Sequence, residues 1–236
     1  MSGRPFPWEK SYPAGLDWGT PIRTSTIPEL FEAAVERFGK RPAIEFNDVE
    51  IRYAEIKEQV AQVAAGLTAM GVAPGVSVAL YLPNVPYHPI SFFAVLHAGG
   101  RVVHLSPLDA LRMLRFKLED SEARILITVN LPPLLQNAEQ LLAQGLIDHL
   151  IVGEIERFGG HPAALPLPGD AVPFTRLLEA PPMASHSSLT EQDVAVLQYT
   201  GGTTGLPQGG HADACQSHGS GFDVRNMGQC NRACGG

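Results

Sequence analysis

The residues with the most chemical content lie in one stretch, Tyr199-Thr200-Gly201-Gly202-Thr203-Thr204-Gly205-Leu206-Pro207-Gln208-Gly209. Thr200 to Gly205 hold three glycines and three threonines, shortly after the apolar run Val194-Ala195-Val196-Leu197. Glycines allow positive φ and tight turns, so that successive backbone N–H groups can converge on one point. Threonine hydroxyls add donors to the same place. A strand that empties into such a loop suits a polyphosphate. The same composition suits a flexible surface turn, and the order of the residues decides between the two.

That order excludes two familiar phosphate loops. No Gly-Lys-Ser/Thr closes it, so it is not a Walker loop, and Gly-x-Gly-x-x-Gly is missing, so it is not a dinucleotide fingerprint. The stretch resembles the phosphate-binding signature of the adenylate-forming superfamily: acyl-CoA synthetases, luciferases and peptide-synthetase adenylation domains. Their usual form is Tyr-Thr-Ser-Gly-Thr-Thr-Gly-x-Pro-Lys-Gly. The chain agrees at Tyr199, Thr200, Gly202, Thr203, Thr204, Gly205, Pro207 and Gly209. Gly201 replaces the serine, as in fatty-acyl members. Gln208 replaces the basic residue, and a neutral amide can donate a hydrogen bond to phosphate but brings no charge.

The resemblance extends upstream. Arg52-Tyr53-Ala54-Glu55-Ile56 is similar to the family's Thr-Tyr-x-Glu-Leu, and Gly75 to Asn84 to its first core strand and exit turn. Phe92 to Gly100 and Ser106-Pro107-Leu108 are similar to its small-residue helix end and Asn-Pro-type turn. The resemblance covers roughly residues 25–210. It implies an AMP-forming reaction in two halves. A carboxylate attacks the α-phosphate of ATP, giving an acyl-adenylate and pyrophosphate; a thiol, usually coenzyme A, then displaces AMP. The loop residues Thr200, Gly201, Gly202, Thr203, Thr204, Gly205 and, more weakly, Gln208 would cradle the β,γ-phosphates, with Mg²⁺ sharing the charge. The implied partners are a carboxylic acid of fatty-acyl type, ATP and CoA.

The elements that must position this loop alternate along the chain. Thr26 and Glu29 form a capping box for a helix ending at Gly39, with Ile27, Phe31, Ala34 and Phe38 on its apolar face. Ala43–Phe46 and Ile51–Tyr53 flank Asn47-Asp48 as a hairpin. A second helix over 54–70 carries Ile56, Val60, Val63, Leu67 and Met70 and stops at Gly71. Strands are expected at 76–82, 102–105, 125–128 and 149–152. Helices are expected at about 89–98, from Asp109 as cap to about 120, and over 131–144. Continuous apolar strands alternating with helices imply parallel βαβ units with right-handed crossovers. The fold class is therefore α/β, and the resemblance implies the N-terminal domain of an adenylate-forming enzyme, truncated. His97 and His104 read as partly buried scaffold rather than catalysts.

The chain divides into an irregular segment over 1–24, an α/β subdomain over 25–152 and a Pro/Gly-rich connection over 153–189. Strand and loop follow over 190–210, and then an aberrant tail over 211–236, expected to be disordered. Within the connection, Phe174 and Leu177-Leu178 are expected packing points. The tail turns abruptly to Gly, Ser, Cys, Asn and His, as a shifted reading frame would produce. The family's adenine pocket, ribose-binding aspartate and catalytic lysine would lie downstream, so the fragment alone is not expected to complete catalysis. A non-catalytic binding module, and a product that aggregates through uncovered sheet surface, are the rival expectations.

Composition sets the outer bounds. At 44% hydrophobic and 17% charged, 236 residues suffice for a packed core. A net charge of −7 argues against a nucleic-acid partner. No apolar run is long enough to span a bilayer, and residues 1–24 have no signal-peptide core, so a cytoplasmic protein is the default. Three cysteines, all after residue 214, make no disulfide framework. His211, Cys215, His218, Cys230 and Cys234 include zinc-ligand types at spacings that match no standard knuckle, and no metal site is assigned.

Overall fold

Thr26 and Glu29 start the first helix as their spacing predicts. The Glu29 carboxylate accepts from the Thr26 N–H at 2.7 Å, and the Thr26 hydroxyl accepts from the Glu29 N–H at 3.4 Å. The structure, a computed structural model, describes residues 7, 8, 11, 25–159, 163–187, 189, 190 and 192–199. Helix α1, Ile27–Phe38, buries Pro28, Phe31 and Val35. Of the four expected face positions only Phe31 is fully buried. The helix is turned so that Phe31 stacks on Phe93, with ring centroids 4.2 Å apart. Phe38 is only half-buried, with the Arg37 and Arg41 guanidinium groups over its ring.

Strands β1, Pro42–Phe46, and β2, Val49–Arg52, form the antiparallel hairpin. Asn47 and Asp48 both take positive φ, 48° and 61°, the requirement of a two-residue turn matched to strand twist. Helix α2, Tyr53–Ala69, buries Ile56, Val60, Val63 and Leu67; Met70 is only partly buried.

The main sheet is built from β3 (Ser77–Leu80), β4 (Arg101–His104), β5 (Ile125–Val129), β6 (His149–Gly153), β7 (Val172–Pro173) and β8 (Val196–Gln198). Its order is β7-β6-β5-β3-β4-β8, and each of the five pairings is parallel. Strands β3 and β5 are buried at every position, which is why they read as unbroken apolar runs rather than alternating ones. Between them run α3 (Tyr87–His97), α4 (Leu111–Ser121) and α5 (Leu134–Ala143), and α6 (Phe174–Leu177) follows β7.

Three expectations shift. Helix α3 begins two residues before Pro89, which therefore falls in the first turn, where a backbone N–H has no helical partner to lose. Asp109 is not the cap of α4: Ala110 holds that position without a side-chain bond. The Asp109 carboxylate instead accepts from the Ser106 N–H at 2.9 Å and from Lys117. Helix α5 starts at Leu134, not Leu131, because a residue that precedes proline is disfavoured in the helical region, and Pro132 and Pro133 follow Leu131 in series. The stretch 153–189 holds more structure than its prolines suggest: a 3-10 turn at Ile155–Phe158, then β7 and α6. Phe174 and Leu177 are buried there, as expected.

Candidate functional site

Strand β4 lies on one side of β3 and β5 on the other, so the chain reverses its direction of winding at β3/β5. Open parallel sheets usually take ligands at the carboxyl ends of the strands beside such a switch. Here that crevice is filled by the protein itself. The Thr128 hydroxyl donates to the Tyr81 carbonyl at 2.8 Å, Asn137 donates to the Tyr81 hydroxyl at 3.1 Å, and Tyr81 is fully buried.

The open polar space lies one step along the same edge, past the ends of β3, β4 and β8. A cavity of about 220 Å³ there is lined by His88, His104, Ser106, Lys117, Gln198 and Tyr199, with Leu82 and Leu105. Each polar group comes from the last residue of a strand, from just beyond it, or from the helix that follows. His104 ends β4 and stands opposite Gln198 of β8 in the strand register. Its Nδ1 lies 2.9 Å from Gln198 Oε1. An amide oxygen can only accept, so Nδ1 carries the proton and Nε2 is left buried with no hydrogen-bond partner. His88, from the first turn of α3, stands with its ring 5.2 Å from that of His104, and Phe92 stacks on the other ring at 5.8 Å. Burial pushes both imidazoles below the ordinary histidine range; the Gln198 bond opposes this at His104.

Below them, Lys117 is buried and pairs with Asp109 at 2.6 Å. Its ammonium also lies over the Tyr199 ring, 5.5 Å from the centroid. The Tyr199 hydroxyl reaches the Asp120 carboxylate at 2.7 Å and the Lys117 carbonyl at 3.3 Å. Burial, then the bond to Asp120, raises its phenol well above the ordinary range, so it remains a neutral donor. The residue that opens the signature stretch is thus tied to α4 by ring and hydroxyl together.

The sequence-predicted cradle, Thr200, Gly201, Gly202, Thr203, Thr204, Gly205 and Gln208, lies outside the described residues, as do His211, Cys215, His218, Cys230 and Cys234. The described chain reaches Tyr199, one residue short, at the mouth of this cavity. Among the described residues no group of three or more His, Cys, Asp or Glu is placed to hold a metal ion. His97 is 8% exposed at the end of α3 and faces His186, as a scaffold residue would. His104, read the same way, lines the cavity. His88, Lys117 and Asp120 were not singled out from sequence. Position just past or beside a strand end was the available signal for His88; for the α4 residues none was, since their partners are many residues away.

A second hollow, of about 420 Å³, lies between α1, the hairpin, α2 and α3. Its lining is apolar apart from Tyr53, and it offers no charged group for catalysis.

Among the described residues no helix is long and apolar enough to cross a membrane.

Residues 31–217 match the family model described as AMP-binding enzyme. The chain is 30% identical over 220 residues to a long-chain-fatty-acid–CoA ligase of Bacillus subtilis (strain 168), covering 86% of this chain and 39% of the relative. It is 32% identical over 226 residues to a Yersinia pestis protein of the same name, with the same coverage. Among solved structures it resembles the anthranilate CoA ligase AuaEII, with a TM-score of 0.68 at 22% identity, over 79% of this chain and 34% of that one. A benzoate CoA ligase from Burkholderia xenovorans LB400 gives a TM-score of 0.62 at 23% identity, over 77% and 33%. The chain thus spans about two-fifths of the length of these curated relatives. A parallel sheet whose strand β8 ends just before the signature stretch and a family match over residues 31–217 lead to one conclusion: the chain belongs to the AMP-binding enzyme family.

Proposed function

We propose that the chain is the N-terminal part of an ATP-dependent acid–CoA ligase, fatty-acyl type favoured, and contributes the phosphate side of its ATP site. The observation that carries this reading is the placement of Tyr199. The signature's first residue is anchored at a polar cavity where a parallel sheet ends. Thr200, Gly201, Gly202, Thr203, Thr204 and Gly205 would hold the β,γ-phosphates through backbone N–H and hydroxyl donors. Gln208 would add a neutral one. Such preset donors stabilise negative charge where it develops in phosphoryl chemistry.

ATP fits the donor set: hydroxyls, an amide, imidazoles and a Gly-rich backbone all address phosphate oxygens. Mg²⁺, the implied counter-ion, would share the charge of the β,γ-phosphates beside the loop hydroxyls. The carboxylic acid and CoA would be met outside this chain's described residues. This reading places the reaction in the cytoplasm.

Gln208 favours a second reading, a nucleotide-binding module without chemistry, because the loop lacks its cation. Equilibrium binding of ATP tests the phosphate site that both readings share, and an assay of acid-dependent pyrophosphate release tests for chemistry beyond it. Saturable ATP binding is expected, and Gln208→Lys should tighten it by roughly tenfold, the scale of one charge-assisted hydrogen bond. Absence of ATP binding by the folded chain would remove the phosphate-site reading. Pyrophosphate release that depends on an added fatty acid would exclude the non-catalytic one.

A further inference from the structure

Residues 200–210 contain no Lys, Arg or His. A polyphosphate held there meets neutral donors only, and a multiply charged anion taken out of water needs a positive partner nearby. Three side chains lining the cavity at the end of β8 could provide it. Lys117 is already committed to Asp109 at 2.6 Å, with 7% and 17% of the two side chains exposed. His88 and His104 remain. Their rings are 5.2 Å apart, close enough that a charge on one disfavours a charge on the other.

His104 is the better placed of the two. Its Nδ1–H is fixed on Gln198, which stands two residues before Thr200. Protonation can therefore occur only at Nε2, the buried atom that has no partner. Left so, that atom carries the cost of an unmade hydrogen bond. The groups facing the ring leave the charge to it. His88 approaches from α3 and Phe92 stacks on it; Gln198 ends β8 and Tyr199 follows it, both neutral; Lys117 and Asp109 cancel; Asp120 is engaged by Tyr199.

We propose that His104 is a phosphate-binding residue: when a polyphosphate anion enters the carboxyl-edge cavity, Nε2 takes up one proton from solvent and donates it in a hydrogen bond to a phosphate oxygen. No covalent bond changes, and the site gains the charge that its loop lacks. The inference rests on the phosphate-site reading above.

Calorimetric titration of the 236-residue chain with ATP, at about pH 7.5 to 8.5 where the terminal phosphate is ionised, tests it. Buffers of different ionisation heat report the protons exchanged. Uptake should approach one proton per ATP bound, with affinity falling toward tenfold per pH unit. His104→Asn, which keeps an amide donor for Gln198, should abolish both the uptake and the pH dependence. His97→Gln, outside the cavity lining, should keep both. Should His104→Asn fold poorly, the imidazole nitrogen shifts of His104 in the unaltered chain, with and without ATP, give the same answer: its titration must move to higher pH with ATP. ATP binding without proton uptake, or uptake that survives His104→Asn in folded protein, overturns the inference and leaves the phosphate-site reading standing. No ATP binding at all overturns both.

Discussion

Tyr199 illustrates what a single residue contributes when its two ends do different work. Its ring is buried against Phe116 and under the Lys117 ammonium, while its hydroxyl donates to Asp120 at 2.7 Å. The ring belongs to the core; the hydroxyl fixes where β8 releases the chain toward Thr200. Tyr199→Phe keeps the ring and removes the tether. The carboxylate it loses is exposed and can return to water, so the cost in stability should be small, about 0.5–1.5 kcal/mol. The functional cost should be larger in proportion: ATP binding weakened severalfold, because the loop would leave the strand at a less defined angle. Urea unfolding and ATP titration on the same variant check this. An affinity that is unaltered while stability drops would make Tyr199 a packing residue only. The family signature was legible because its information is local and ordered, in Thr200 through Gly205. The tether was not, because Asp120 is 79 residues away and carries no mark that sets it apart from other surface carboxylates.

Among the elements, the parallel sheet was read correctly wherever burial on both faces left a continuous apolar run, as in β3 and β5. Strand β7 escaped because Val172–Pro173 is two residues long, too short for any period, and is made a strand only by its pairing with β6. Packing of a similarly non-local kind fixes the start of α3. Tyr87 is 1% exposed, wedged edge-on to Phe158 at 4.9 Å and against Phe174 at 4.6 Å, and its hydroxyl donates to the Glu154 carbonyl. The flat side of the ring lies on Gly153, where a Cβ would stand 2.5 Å from two ring carbons. Held on three sides, the ring has nowhere to retreat. Gly153→Ala should therefore cost about 1–3 kcal/mol, the usual range for overpacking, lowering Tm by roughly 2–12 °C for a domain of this size. Replacing Tyr87 by Leu in the same chain should recover part of the loss, and a double-mutant cycle measures the coupling. Because His88 follows Tyr87 directly, the single variant should also disturb the cavity, which ATP titration reads. A Gly153→Ala protein as stable as the parent would mean that the strand can shift under α3 and that this wedge does not set the site.

Over the whole molecule, acid should weaken the fold before any carboxylate titrates, since His88, His97 and His104 are all held below the ordinary histidine range, each chiefly by burial. At His97 the neighbours His186 and Lys57 push the same way and Glu32 opposes; at His104 the Gln198 bond opposes. A lowered folded-state value means that the unfolded chain binds more protons between that value and about 6.5. Stability is then fully present above about pH 6.5 and declines as pH falls through the folded-state values, by at most about 1.4 kcal/mol per pH unit for each histidine. Glu29 is lowered as well, by its bonds to Thr26, but its contribution is lost only below the ordinary carboxylate value, so a series stopped near pH 5 isolates the imidazoles. The net charge of −7 attracts protons and works against the burial effect, yet salt at about 0.15 M screens it beyond roughly 8 Å. Urea midpoints should accordingly be level from about pH 8 to 7 and fall from 6.5 to 5. His97→Gln, remote from the cavity, should reduce that slope with or without ligand. Saturating ATP should reduce it further, because a His104 already protonated in the complex no longer favours the unfolded chain as pH drops. If the midpoint is constant to pH 5 the burial argument fails at its root. If it falls equally with and without bound ATP, the histidines stabilise the fold as neutral groups and His104 takes no proton from the ligand's arrival.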